Sequence, residues 1–185
     1  MENTLKAIHD RFIAEVGRVD DVAQILLKGH LVMEGVLTEA LETFALHGEF
    51  VEDARLQMSQ KIAFCRAIST SDQENKMWGL ISQINTVRNA LSHSLEPGRR
   101  SKAIAKLRGI YEEQFGEMPD STKGIPNGIE KDFSADAALC LYAVGGALGF
   151  LHAHLEEVKR LKAFVQEQDA ALNKGAMQRS EKPKA

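Results

Sequence analysis

The residues of this chain whose types and spacing suit chemistry are Arg88, Asn89 and His93, in the run Arg88-Asn89-Ala90-Leu91-Ser92-His93. A guanidinium, a carboxamide and an imidazole gathered at one helix end offer a phosphate anchor, an orienting group and a general acid/base. Arg followed by His a few residues on is common by chance. Asn directly after the Arg lowers the expectation to about one chain in a hundred at average residue frequencies.

The motif closes an amphipathic stretch. Met77, Leu80, Ile81, Ile84, Val87 and Leu91 recur at helical spacing, so the pattern predicts a packed helix that ends in the motif. An ideal helix turns about 100° per residue, which puts Asn89 and His93 on one face and separates Arg88 from His93 by about 140°. Arg88 lies instead with the apolar stripe. Arg88 and His93 can serve one phosphate only if the helix distorts near Ser92 or if a second subunit supplies one of them. A composite site in a homodimer is the more natural expectation. Pro97-Gly98 ends the helix just beyond, since the residue before a proline disfavours helical geometry.

With its lead-in Ile84-Asn85-Thr86-Val87, the motif resembles that of the HEPN superfamily, whose members carry Arg-x(4 to 6)-His, often with Asn after the Arg. The stretch Lys28-Gly29-His30-Leu31-Val32-Met33-Glu34 is similar to the family's upstream helix, so the resemblance covers roughly residues 20–95. It implies an all-α, HEPN-like up-and-down bundle of about five or six helices that forms a homodimer. It also implies either a metal-independent endoribonuclease of the toxin or defence type or a non-catalytic regulator. In the ribonuclease case a ribose 2′-hydroxyl attacks the adjacent phosphodiester and leaves a cyclic phosphate. His93 would move protons, Arg88 would stabilise the phosphoryl oxygens and Asn89 would orient His93 or a phosphate oxygen. Toxins of the family controlled by a nucleotidyltransferase antitoxin carry a Tyr two residues after the His; here that position is Leu95, which argues against this mode of control.

Other chemistry is sparse. Arg99, Arg100, Lys102, Lys106 and Arg108 stand without an acid between positions 97 and 108. They read either as a local RNA or phosphate contact or as a solvated helix face. His30 and Glu34 sit at i,i+4, as a helix-surface pair or as supporting partners of the motif. His152 and His154 are two apart and diverge on a helix, and Cys65 and Cys140 are 75 positions apart. No metal or cofactor site is therefore expected, and the cysteines read as buried thiols of a reducing compartment.

The 185 residues suit one domain, with 44% hydrophobic and 26% charged residues and a net charge of -3. That balance excludes a surface that coats nucleic acid broadly, so any RNA contact must be local. No signal peptide is evident in the charged, amphipathic first 25 residues, and the most apolar run, 137–151, is shorter than the roughly 20 residues a membrane span needs. A cytoplasmic protein with no membrane contact follows as the expectation. Within the apolar run Gly145 and Gly149 form a small-xxx-small step for close approach of another helix, either inside the bundle or across a dimer interface.

Helices are expected over residues 5–16, over 20–47 with Gly48 as its stop, over 51–68 with a break near 57–59, from the capping box Ser71-Asp72-Gln73-Glu74 through the motif, over 99–115, and from Ser134 to about 171. Residues 117–133 form the one long loop. The domain spans 1–173 and the polar stretch 174–185 is expected to be a disordered tail. Three classes of function follow: an RNA-cleaving homodimer with an antitoxin or other regulatory protein as partner; a regulator or adaptor similar to the mannitol-repressor family; and a purely structural interaction bundle.

Overall fold

The computed structural model of the chain describes residues 21–70, 75–93, 97–118 and 133–180, with Ser92, His93, Pro97 and residues 174–180 described by their backbone. The first expected helix, the capping box at 71–74 and most of the 117–133 loop lie outside these residues. Among the described residues there are five α-helices, α1 (Asp21–Phe44), α2 (Met58–Ile68), α3 (Met77–His93), α4 (Pro97–Phe115) and α5 (Ala135–Ser180), and a 3-10 turn at Gly48–Phe50. No strand occurs among the described residues, and the protein is an all-α helical bundle.

Local signals explain most of the boundaries. α1 ends at Phe44, short of the expected 47, and Gly48 instead opens the 3-10 turn, at a place where a Cβ would fall onto the Glu42 carbonyl. Arg55 takes a left-handed φ of 47° in the turn before α2, and the backbone N–H of Gln57 donates to Gln60 Oε1 at 2.8 Å, fixing the start of α2 at Met58. This settles the expected break near 57–59: residues 51–55 are turn, not helix. The N–H of Met77 donates to Asn75 Oδ1 at 2.9 Å, which caps α3. Gly116, at φ +82°, ends α4. The Ala137 N–H donates to Ser134 Oγ at 3.2 Å, which caps α5. That helix continues to Ser180, past the expected end near 171 and through the start of the expected tail.

The core forms where α1 and α5 lie together. They run in the same sense, since Gly29 faces Val144, Lys159 reaches Glu39 at 3.3 Å and Lys162 Nζ donates to the Ala45 carbonyl at 3.3 Å. α2 shares that sense, with Lys61 against Glu34 and the Cys65 thiol donating to the Leu37 carbonyl. The strict up-and-down order expected of the bundle is thus altered, because residues 45–57 carry the chain back before α2 starts. α3 brings Leu80, Ile81, Ile84 and Val87 into the core beside Leu26, Met33 and Leu37 of α1. The Gln83 side chain donates to the Ala103 carbonyl at 2.9 Å, tying α4 to α3.

Within the bundle the close helix approach does not use Gly145 and Gly149. Gly145 and Gly149 are exposed, with nothing within 4 Å of an added Cβ. The residues that need to be small are Gly29, whose Cβ would lie 2.6 Å from Val144 Cγ1, and Gly146, whose Cβ would lie 2.8 Å from Phe115 Cζ. The reason is rotational: α5 turns the next residue round the helix, Gly146, towards its neighbour. α5 also has the length and composition to cross a membrane, with half of its apolar window buried inside the bundle.

Two buried groups carry chemical consequences. Cys65 and Cys140 are buried thiols, and burial pushes the Cys65 thiol up to about 12, so it holds no thiolate at neutral pH. His154 is 3% exposed, stacked edge-on against Trp78 at 5.3 Å, with no hydrogen-bond partner at either ring nitrogen. Burial lowers its pKa, and the Glu157 carboxylate only partly offsets this. The unfolded chain therefore takes up this proton first as pH falls below the ordinary histidine value of about 6.5, and stability falls with it. Urea midpoints measured from pH 8 to pH 5 are expected to drop through that window, and His154→Leu is expected to flatten the drop; an unchanged slope in the variant would exclude His154 as its source.

Candidate functional site

The end of α3 that carries the motif opens onto a cavity of about 420 Å³ lined by His30 and Glu34 of α1, Gln57, Met58 and Ser59 at the start of α2, and Asn85, Arg88 and Asn89 of α3. Each wall has a physical reason. Asn85 and Arg88 stand on the flank of the apolar stripe that buries Ile81, Ile84 and Val87, one turn apart and on the same side. Arg88 Nη1 donates to Asn89 Oδ1 at 3.1 Å, which joins the motif's guanidinium and carboxamide into one polar unit at the cavity's edge.

His30 is 5% exposed, so it is a buried group and not half of a helix-surface pair. One face of α1 buries Leu26, Gly29, His30, Met33 and Leu37, whereas Val32, which belongs to the apolar pattern, is exposed. The inward stripe is therefore rotated towards His30. His30 Nε2 hydrogen-bonds Asn85 Oδ1 at 3.2 Å, and its Nδ1 lies 3.8 Å from Glu34 Oε2. Lys61 Nζ donates to Glu34 Oε1 at 2.9 Å. A chain of four polar side chains, Lys61, Glu34, His30 and Asn85, thus links α2, α1 and α3 behind the cavity. The Nε2 edge of His30 thus meets Asn85, and Nδ1 faces the carboxylate.

The start of α2 adds a feature of another kind. Gln57 is its cap, and the Gln57 carbonyl accepts from the N–H groups of Gln60 and Lys61 at 2.9 and 3.0 Å. The first-turn amides of Met58 and Ser59 belong to the positive end of the helix dipole, on the cavity wall. Arg88 is a second positive element there, and Glu34, neutralised by Lys61, is the negative one. The arrangement suits an anion with a polar attachment.

Of the sequence-derived residues, the fold brings Arg88, Asn89, His30 and Glu34 to this one cavity. His93 is the last residue of α3; the placement of its side chain lies outside the described residues. Arg99, Arg100, Lys102 and Lys106 stand on α4 and none lines the cavity. Lys102 and Lys106 are exposed, which fits a solvated face, and Arg108 reaches Asp136 at 3.3 Å. No group of His, Cys, Asp and Glu suited to a metal ion occurs among the described residues. Sequence reasoning missed Lys61 and the start of α2 as parts of the site. The one signal for Asn85 was its place in the lead-in to the motif.

Fold and site together define a class: an all-α bundle with a polar, anion-suited cavity where three helices meet. Comparison of the chain with protein-family models, with curated proteins and with solved structures finds no match.

Proposed function

We propose that the cavity is the phosphodiester site of a metal-independent endoribonuclease of the HEPN type, acting in the cytoplasm. The observation that supports this reading is the meeting of Arg88 and Asn89, two of the three motif residues, with a buried imidazole and a helix N-terminus on one open cavity. Arg88 would hold a non-bridging phosphate oxygen and stabilise the charge that develops on it. His93 would move the proton of the attacking 2′-hydroxyl or of the leaving 5′-oxygen. Asn89, held by Arg88, would keep the phosphate or His93 in line. His30 supplies an imidazole from the same chain, so a second subunit is not needed to bring one near Arg88. The homodimer and a protein regulator remain part of the proposal as assembly, not as chemistry.

Purified protein incubated with total RNA and tRNA in excess chelator is expected to cleave them and leave 2′,3′-cyclic phosphate ends. Arg88→Ala and His93→Ala are each expected to reduce this by about 100-fold or more. Equal cleavage by all three proteins would mark a contaminant and overturn the assignment. A second reading draws on Glu34: its carboxylate on the cavity wall, only one ion pair away from opposing a phosphate, suits a regulator or adaptor that binds a neutral or cationic group. Absence of cleavage by intact, folded protein would select that reading.

A further inference from the structure

We propose that the projecting end of α5 is the docking surface for a second copy of this chain, the two helices lying antiparallel. This inference stands apart from the catalytic reading.

α5 follows a seven-residue repeat. Leu151, His154 and Val158, spaced three and four apart, are buried against the bundle. The same spacing continues through Leu161, Val165, Gln168 and Leu172, but α1 has ended: the Ala45 carbonyl meets Lys162, and every residue from 163 to 173 is exposed. The helix from 163 to 173 therefore projects by about 16 Å at the ordinary rise per residue. Val165 is 53% exposed and Leu172 75%. An apolar seam with a sustained 3-4 repeat is a coiled-coil surface, and such a surface wants another helix of the same kind.

Charge selects which helix. In an antiparallel pair with Leu161 opposite the second copy's Leu172, Val165 falls opposite its Gln168. Lys162 and Asp169, which flank the seam seven residues apart, then meet across it twice by two-fold symmetry, and Phe164 lies over Ala171. A parallel, in-register pair would set Asp169 beside Phe164 instead and force two bundles together at the same end. The root of the projection also suits this partner. Phe44 and Leu46, the latter 92% exposed, sit where α1 ends beside Lys162, next to where the far end of the second copy's helix would lie.

The test uses the full chain. Sedimentation equilibrium is expected to give a mass of about 41 kDa at micromolar concentration, twice the chain's 20.4 kDa. The pair of changes Val165→Lys and Leu172→Lys, at exposed positions, is expected to return it to the monomer with unchanged helical circular dichroism and unchanged Tm. Asp169→Lys is expected to weaken association at least about tenfold, and adding Lys162→Asp to restore it. Mild oxidation of Leu161→Cys/Leu172→Cys is expected to cross-link two chains, while Leu172→Cys alone is not. A monomer at all concentrations, a dimer that survives the two lysines, or cross-linking by Leu172→Cys alone would each overturn the proposal.

Discussion

Replacing Arg88 by lysine is expected to lower RNA cleavage by about 100-fold or more while leaving the folded structure in place. The charge is kept, so the loss isolates geometry. Arg88 presents a planar fork on the cavity wall, in which Nη1 donates to Asn89 Oδ1 at 3.1 Å. A lysine ammonium is a compact point charge that cannot hold the carboxamide and a phosphate oxygen at fixed angles together. Loss of one preorganised charge stabiliser typically costs two to three powers of ten in turnover, about 3–4 kcal/mol. The effect should fall on kcat more than on KM, because the charge it meets develops in the transition state. Single-turnover kinetics on a short RNA, with circular dichroism as the control for folding, is the measurement. Wild-type kcat in Arg88→Lys would remove Arg88 from the chemistry.

The second large effect is structural and arises far from the charged groups. Gly29→Ala is expected to destabilise the bundle by about 1–3 kcal/mol, although alanine is the better helix former by about 1 kcal/mol. The added methyl would lie 2.6 Å from Val144 Cγ1 and 2.9 Å from Cγ2. Val144 is buried and β-branched, so its methyls cannot swing aside and α1 must move from α5. Val144→Ala in the same chain should give back much of the loss, a coupling visible in a double-mutant cycle of urea midpoints. Additive losses in the double variant would show that the two residues do not press on one another. Because Gly29 immediately precedes His30, a shift of α1 should also loosen the His30 to Asn85 hydrogen bond, and cleavage should fall further than stability alone explains.

These two residues show how legible the molecule was. The 3.6 period of α3 and the stop at Gly116 are local signals that the helices follow, whereas the helix expected to run to Gly48 ends at Phe44. The motif's own residues are visible as types at a spacing. His30 was visible only as a neighbour of Glu34 four residues away; its burial depends on how α1 is rotated against α2 and α3, which hydrophobicity along one helix fixes only to within a residue. Lys61 and the first turn of α2 were out of reach for a stronger reason. Their place at the site, Lys61 behind Glu34 and the first turn of α2 on the cavity wall, depends on the turn through Arg55, with its left-handed φ, and on the return of the chain beside α1. The Gly145/Gly149 step shows the converse: its spacing offers a close approach without naming the partner, and within the bundle the close contacts fall at Gly29 and Gly146 instead.

The cavity lies at a three-way joint, with α1, α2 and α3 each contributing part of its wall and the Lys61, Glu34, His30 and Asn85 chain running between them. A molecule seated there bridges elements that separate when the chain unfolds, so occupancy and melting are thermodynamically linked. The fold is in this sense its own reporter: a library of nucleotides, phosphates and short RNAs can be ranked by the rise each gives in Tm, before any catalytic assay has been chosen. Ligands that fill the joint would register in proportion to the logarithm of their concentration over Kd, and Arg88→Ala would remove their effect while sparing that of ligands that settle on the α4 lysines.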